Sequence, residues 1–146
     1  MPILFIIFIF LLVLIDQLVK NWVVYHLAIG QILPLIGGVI SITRLNNTGA
    51  AWSILSGHQF IFVIIGLIAV IVLIGFIIRL WRNIWYRISL SFLIAGTLGN
   101  IIDRIFSNHV IDMFQLDFIN FPIFNCADVY LTIGVLLLAY IIIKEK

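Results

Sequence analysis

Asp112 and Asp128 are the side chains in this sequence most able to do chemistry together. They lie in the stretch from Gly99 to Gly134, which holds four of the chain's six acidic residues: Asp103, Asp112, Asp117 and Asp128. Both sit in short polar breaks between long apolar segments. Two carboxylates held close do not easily ionise together, so one keeps a proton and the pair offers an acid and a base at once. Water-mediated amide hydrolysis needs that combination and no cofactor. The spacing allows a loop that leaves and re-enters one surface to join the two residues, without requiring it. In Asn125-Cys126-Ala127-Asp128, Asn125 fits a helix N-cap and Asp128 the N3 position, where the helix N-terminus favours a charged carboxylate. The expectation is an ionised Asp128 with the resting proton on Asp112. A purely capping Asp128 is the alternative.

The elements that must hold these residues are greasy. Of 146 residues 64% are hydrophobic and 10% charged, against about 25% charged in ordinary soluble domains, and mean hydropathy is +1.30. Such a chain expects bilayer as its solvent, and its length allows one membrane-embedded domain over residues 1–146. Four spans are expected, at about 3–25, 60–78, 88–106 and 126–143, with polar loops at about 26–59 and 107–125. The first lacks a basic n-region and is read as a retained span rather than a cleaved signal. It carries Asp16 and Lys20 at i,i+4, which fits either an internal ion pair or a functional site. In the first long loop, Val39–Arg44 suits a strand between breaks at Pro34, Gly37-Gly38 and Asn46–Gly49, and two or three strands are expected there. Ala50–Leu55 is ambiguous and compatible with a turn of helix. On the third span, Gly96, Asn100 and Asp103 share one face, with Arg104 beside Asn100.

Arg79, Arg82, Arg87, Lys144 and Lys146 fall on one side of this four-span layout. The positive-inside rule makes that side cytoplasmic, with both termini inside and the polar loops outside. Asn100, Asp103, Arg104, Asp112, Asp128 and the outer half of the Asp16 span then converge on the outer membrane half. Charge in hydrocarbon costs a few kcal/mol per group, and its concentration on one side points to a site.

Five fragments carry a family resemblance in order: Asp16-Gln-Leu-Val-Lys20, Asn47-Thr-Gly49-Ala-Ala-Trp52, Gly96-Thr-Leu-Gly99-Asn100-Ile-Ile-Asp103-Arg104, Val110-Ile-Asp112-Met-Phe114 and Phe121-Pro-Ile-Phe-Asn125-Cys-Ala-Asp128. Together, over essentially the whole chain, they resemble bacterial lipoprotein signal peptidase, or signal peptidase II. The resemblance implies four transmembrane helices with a small extracytoplasmic β-platform. It implies an aspartyl endopeptidase of the bacterial cytoplasmic membrane that cuts prolipoproteins before their diacylglyceryl-modified cysteine. Its catalytic pair falls on Asp112 and Asp128, and its supporting residues on Asp16, Lys20, Asn47, Gly49, Asn100, Arg104 and Asn125. Trp52 falls where the family has an aromatic residue on a flexible element over the site. Cyclic peptides of the globomycin type are the implied inhibitors. Ala95 and Met113 depart from the family pattern by apolar swaps.

Other classes fit less well. Scattered basic residues argue against nucleic acid. His26, His58 and His109 lack metal-ligand spacing, so neither metal nor cofactor is expected. Cys126 has no evident base partner except Asp128, and Asp117 is read as a solvated loop residue. The rival from another class is a small proton-coupled transporter working through Asp16; a third is a non-catalytic membrane assembly subunit. Membrane lipids and a lipid-modified prolipoprotein are the expected partners, and nothing demands more than a monomer.

Overall fold

A computed structural model describes residues 2–49 and 57–145. Among the described residues are four helices, α1 (Pro2–His26), α2 (Gln59–Arg79), α3 (Ile84–Ser107) and α4 (Cys126–Lys144), and three strands, β1 (Ile32–Ile36), β2 (Ile40–Asn47) and β3 (Val110–Leu116). The helices have 25, 21, 24 and 19 residues, which at ~1.5 Å per residue matches a ~30 Å hydrocarbon core. All four are apolar enough to cross a membrane. Ile65, Ile68, Ile71 and Ile78 of α2 and Leu136 and Ile143 of α4 turn outward, as lipid-facing side chains do.

Helix α3 is the hub. It packs against α1, α2 and α4, while α1 meets α4 only briefly. Ten of its residues are buried, from Ser89 to Asp103, against Gln59 and Gly66 on α2. The α3–α4 contact depends on Gly96, where a Cβ would stand 2.5 Å from the Ala127 carbonyl oxygen. Helix α3 begins at Ile84, ahead of the expected 88, because Asn83 caps it by accepting from Trp85 N at 2.9 Å. Arg87 therefore lies on the helix rather than in a loop, its guanidinium against the rings of Phe5 and Trp81.

The sheet is antiparallel in the order β1-β2-β3. Two strands come from the first polar loop, as expected. The third, β3, comes from the second loop, which the sequence left without a strand. The β2–β3 register slips by one residue between Ile42 and Leu45, so that Leu45 pairs with Asp112 and Asn47 with Val110. A one-residue slip changes which side chains share a face. Here it places Asn47, rather than Asn46, on the face of Asp112. Beyond β3 the chain doubles back, and Phe114 and Phe124 exchange backbone hydrogen bonds of 2.8 and 3.1 Å. That bridge delivers Asn125 and the start of α4 alongside Asp112.

Candidate active site

Five polar residues from four elements meet where the C-terminal part of α3 lies beside the N-terminal end of α4. Asp112 comes from the middle of β3, Asn47 from the end of β2 and Asn100 from α3. Asn125 caps α4, and Asp128 sits in its first turn. Asp112 is 2% exposed. Its Oδ1 accepts from Asn125 Nδ2 at 2.7 Å, and its Oδ2 from Asn47 Nδ2 at 2.9 Å. Asp128 Oδ1 accepts from Asn100 Nδ2 at 2.9 Å, and its Oδ2 from the Asn125 backbone N–H at 3.1 Å. Asn125 Oδ1 accepts from Asp128 N at 2.9 Å, which completes the capping box expected from the sequence. One residue thus binds both carboxylates.

The amide orientations follow from donors that have no acceptor capacity. Lys20 Nζ points at Asn100 Oδ1 from 3.2 Å, so the Asn100 amino group must face Asp128. The Asp128 backbone N–H fixes Asn125 Oδ1, so the Asn125 amino group must face Asp112 and Asn100 Oδ1. Burial pushes the Asp112 carboxyl up to about 7, and the charge of Asp128 pushes the same way. Hydrogen bonds from Asn47 and Asn125 and the charge of Lys20 oppose this without cancelling it. Asp112 therefore keeps its proton well above the ordinary carboxylate range.

A second polar cluster lies beneath. Lys20 Nζ is 2.8 Å from Asp16 Oδ2 and 2.8 Å from Asp103 Oδ2, and all three residues are buried. The pair expected within α1 is thus one half of a three-residue bridge to α3. Asp16 Oδ1 also accepts from Ala127 N at 2.9 Å. Gln17 Nε2 donates to Asp103 Oδ1 at 2.9 Å and to the Gly99 carbonyl at 3.2 Å. A Cβ at Gly99 would meet Asp16 Oδ2 at 2.6 Å, so only glycine admits this approach.

Beside Asp112 and Asp128 opens a cavity of about 590 Å³, lined by both carboxylates, Asn47, Gly49, Asn100 and Arg104. Its apolar wall is built from Phe121, Ile123, Val129 and Ile133. Arg104 donates to the Gly49 carbonyl at 3.0 Å, and its guanidinium lies over the Phe62 ring. Gly49 N in turn donates to Asn47 Oδ1 at 2.9 Å. Trp52 and the possible helical turn around it lie outside the described residues.

The sequence profile of the family described as signal peptidase (SPase) II matches residues 8–144. The chain belongs to the signal peptidase II family. A lipoprotein signal peptidase of Lactiplantibacillus plantarum is 48% identical over 135 residues, 92% of this chain and 90% of that protein. One from Streptococcus pyogenes serotype M5 is 45% identical over 148 residues, 98% of this chain and 95% of the relative. Two solved structures described as bacterial membrane enzymes superpose with TM-scores of 0.93 and 0.90 at 38% and 37% identity. Each covers 97% of this chain, which in turn covers 88% and 94% of theirs. This member of the signal peptidase II family is a membrane aspartic peptidase with four membrane-spanning helices and a three-stranded platform. The transporter reading of Asp16 falls with that membership, and Asp16 is occupied by Lys20 and Ala127 N.

The structure gathers Asp112, Asp128, Asn47, Asn100 and Asn125 around one centre, with Gly49 and Arg104 on the cavity wall. Asp16 and Lys20 stand behind it. Asp117 is exposed, as a solvated residue should be, yet it accepts from Ser41 Oγ at 2.7 Å and so ties the loop to β2. Two residues outside the supporting set implied by the family resemblance also belong to the polar cluster behind the site, Gln17 and Asp103. Asp103 was visible on the polar face of α3, and Gln17 as the neighbour of Asp16. The partner of each is on another helix, where spacing within one helix does not reach.

Proposed function

We propose that Asp112 and Asp128 form the acid–base pair with which this signal peptidase II removes signal peptides from diacylglyceryl-modified prolipoproteins, cutting before the lipidated cysteine. The observation that carries this reading is their shared contact with Asn125 at the wall of one cavity. Asp112 rests protonated, held so by burial, and Asp128 is the base. Asp128 takes a proton from a water, whose oxygen attacks the scissile carbonyl carbon. Asp112 gives its proton to the carbonyl oxygen, producing a neutral gem-diol. Collapse of that intermediate breaks the C–N bond, with Asp128 returning its proton to the leaving nitrogen and Asp112 regaining one from the gem-diol hydroxyl. Atoms balance and no cofactor takes part. The amino groups of Asn47, Asn100 and Asn125 hold the two carboxylates through this exchange, and Asn47, Gly49 and Arg104 face the extended substrate backbone.

On this reading residues 1–146 act as one peptidase domain of the cytoplasmic membrane, both termini lie inside and the site faces the outer leaflet. The concentration of Arg79, Arg82, Arg87, Lys144 and Lys146 on one side supports that orientation. The lipid-facing side of α4 lets a signal helix and its acyl chains approach without leaving the bilayer. Globomycin-type peptides compete for the same cavity, and one copy of the chain suffices. The test is a gel-shift cleavage assay on a diacylglyceryl-modified prolipoprotein with folded Asp112→Asn and Asp128→Asn. Both are expected to be inactive, and near-normal cleavage by either removes that residue from the mechanism.

A further inference from the structure

We infer that Lys20 is a positioning residue that sets the separation of Asp112 and Asp128 by yoking Asp16 to Asp103. The inference rests on the acid–base reading above. Its basis is a pair of matched linkages. Asp103 Oδ2 accepts from the backbone N–H of Ile111 at 3.2 Å, and Ile111 directly precedes Asp112. Asp16 Oδ1 accepts from the backbone N–H of Ala127 at 2.9 Å, and Ala127 directly precedes Asp128. Lys20 Nζ stands 2.8 Å from each of these carboxylates. A continuous path of three buried side chains therefore joins the backbone beside one candidate aspartate to the backbone beside the other.

The path is made of directional bonds. Lys20 is 2% exposed, Asp16 0% and Asp103 5%, so water does not compete for them. Gln17 ties Asp103 Oδ1 to the α3 backbone at Gly99. Lys20 also orients Asn100, which donates to Asp128. Apolar packing alone would let β3 and α4 slide by fractions of an ångström. A misplacement of about 1 Å is enough to cost ~10²-fold in rate, and supporting bonds of this kind are what hold a site within tolerance.

The test uses the full chain in micelles with a diacylglyceryl-modified lipopeptide, following kcat and KM across pH. The charges facing the pair are Asp16 and Lys20 from α1 and Asp103 and Arg104 from α3. Lys20→Met and Asp103→Asn are expected to lower kcat about 10- to 100-fold with KM held within about twofold. In both, the acid and alkaline limbs of the kcat profile should draw together, because a wider pair couples less strongly. Gly99→Ala crowds Asp16 without changing any charge and should narrow the profile too. If Lys20 acted by charge alone, Lys20→Met would move both limbs up, Asp103→Asn would move both down, and their gap would persist. That result overturns the yoke. So does an unchanged kcat in Lys20→Met, unmoved limbs with a smaller active fraction, or failure of all three variants to accumulate folded, which makes the cluster a folding element only. Asp112→Asn and Asp128→Asn run alongside. If either cuts, the acid–base reading itself fails. If both are inactive while Lys20→Met is normal, only the yoke fails.

Discussion

The proton on Asp112 leaves a mark on stability that is separate from catalysis. In the unfolded chain this carboxyl ionises near its ordinary value of 3.8, and in the fold near 7. Between those values the folded state binds a proton that the unfolded state has lost, so stability falls as pH rises, by ~1.4 kcal/mol per pH unit. The contribution is fully present below the lower value and gone above the upper one. Asp112→Asn removes the titration and keeps the shape. Asn47 and Asn125 both present N–H groups to this residue, so the new amide meets a donor with a donor on one side. That conflict costs about 1–3 kcal/mol at every pH. The stability gap between wild type and variant should therefore shift by about 2 kcal/mol in favour of the variant from about pH 5 to about pH 7, then level off above it. At roughly 3 °C per kcal/mol for a chain of this size, the Tm difference moves by about 6 °C. Thermal unfolding of both proteins in one detergent across that range reads it directly. A gap that stays constant from about pH 5 to about pH 7 would refute the reasoning: Asp112 would then be ionised throughout, and the resting proton would have to lie elsewhere.

Asn47→Leu removes a hydrogen bond that lowers the Asp112 value, so Asp112 holds its proton to higher pH. The alkaline limb of kcat/KM is expected to move up, and a move to lower pH would contradict the role given to Asn47. Gly96→Ala places a methyl 2.5 Å from the Ala127 carbonyl oxygen. Relief requires the start of α4 to shift, so Tm should fall with an overpacking cost of about 1–3 kcal/mol and cleavage should fall with it, measured on the same preparation.

The spans and the cap of α4 were legible because both rest on local pattern. Long apolar runs report bilayer, and Asn125 with Asp128 spells a capping box whatever the rest of the chain does. Strand β3 was not legible. Val110, Ile111, Asp112 and Met113 are all buried, so the strand is covered on both faces and shows no alternation of polar and apolar residues. The start of α3 was misplaced because Arg79, Arg82 and Arg87 were grouped as one charged stretch between the expected spans, although Asn83 carried the cap. The role of Asp103 was hidden for another reason. Its place on a polar helix face could be read, but its bond to Lys20 joins α1 to α3.

The short link between Asp16 and Lys20 has a consequence for how the protein is made. Helix α1 is synthesised and enters the membrane before Asp103 has been translated. Its two charges would each cost about 3 kcal/mol on the insertion scale if left alone in hydrocarbon. The i,i+4 contact gives the nascent helix its own counter-ion, so it can wait in lipid as a neutral segment. When α3 arrives, Lys20 takes on Asp103 without releasing Asp16. The same ammonium group thus serves first as a passenger that makes insertion tolerable and later as the joint between two helices that were born far apart.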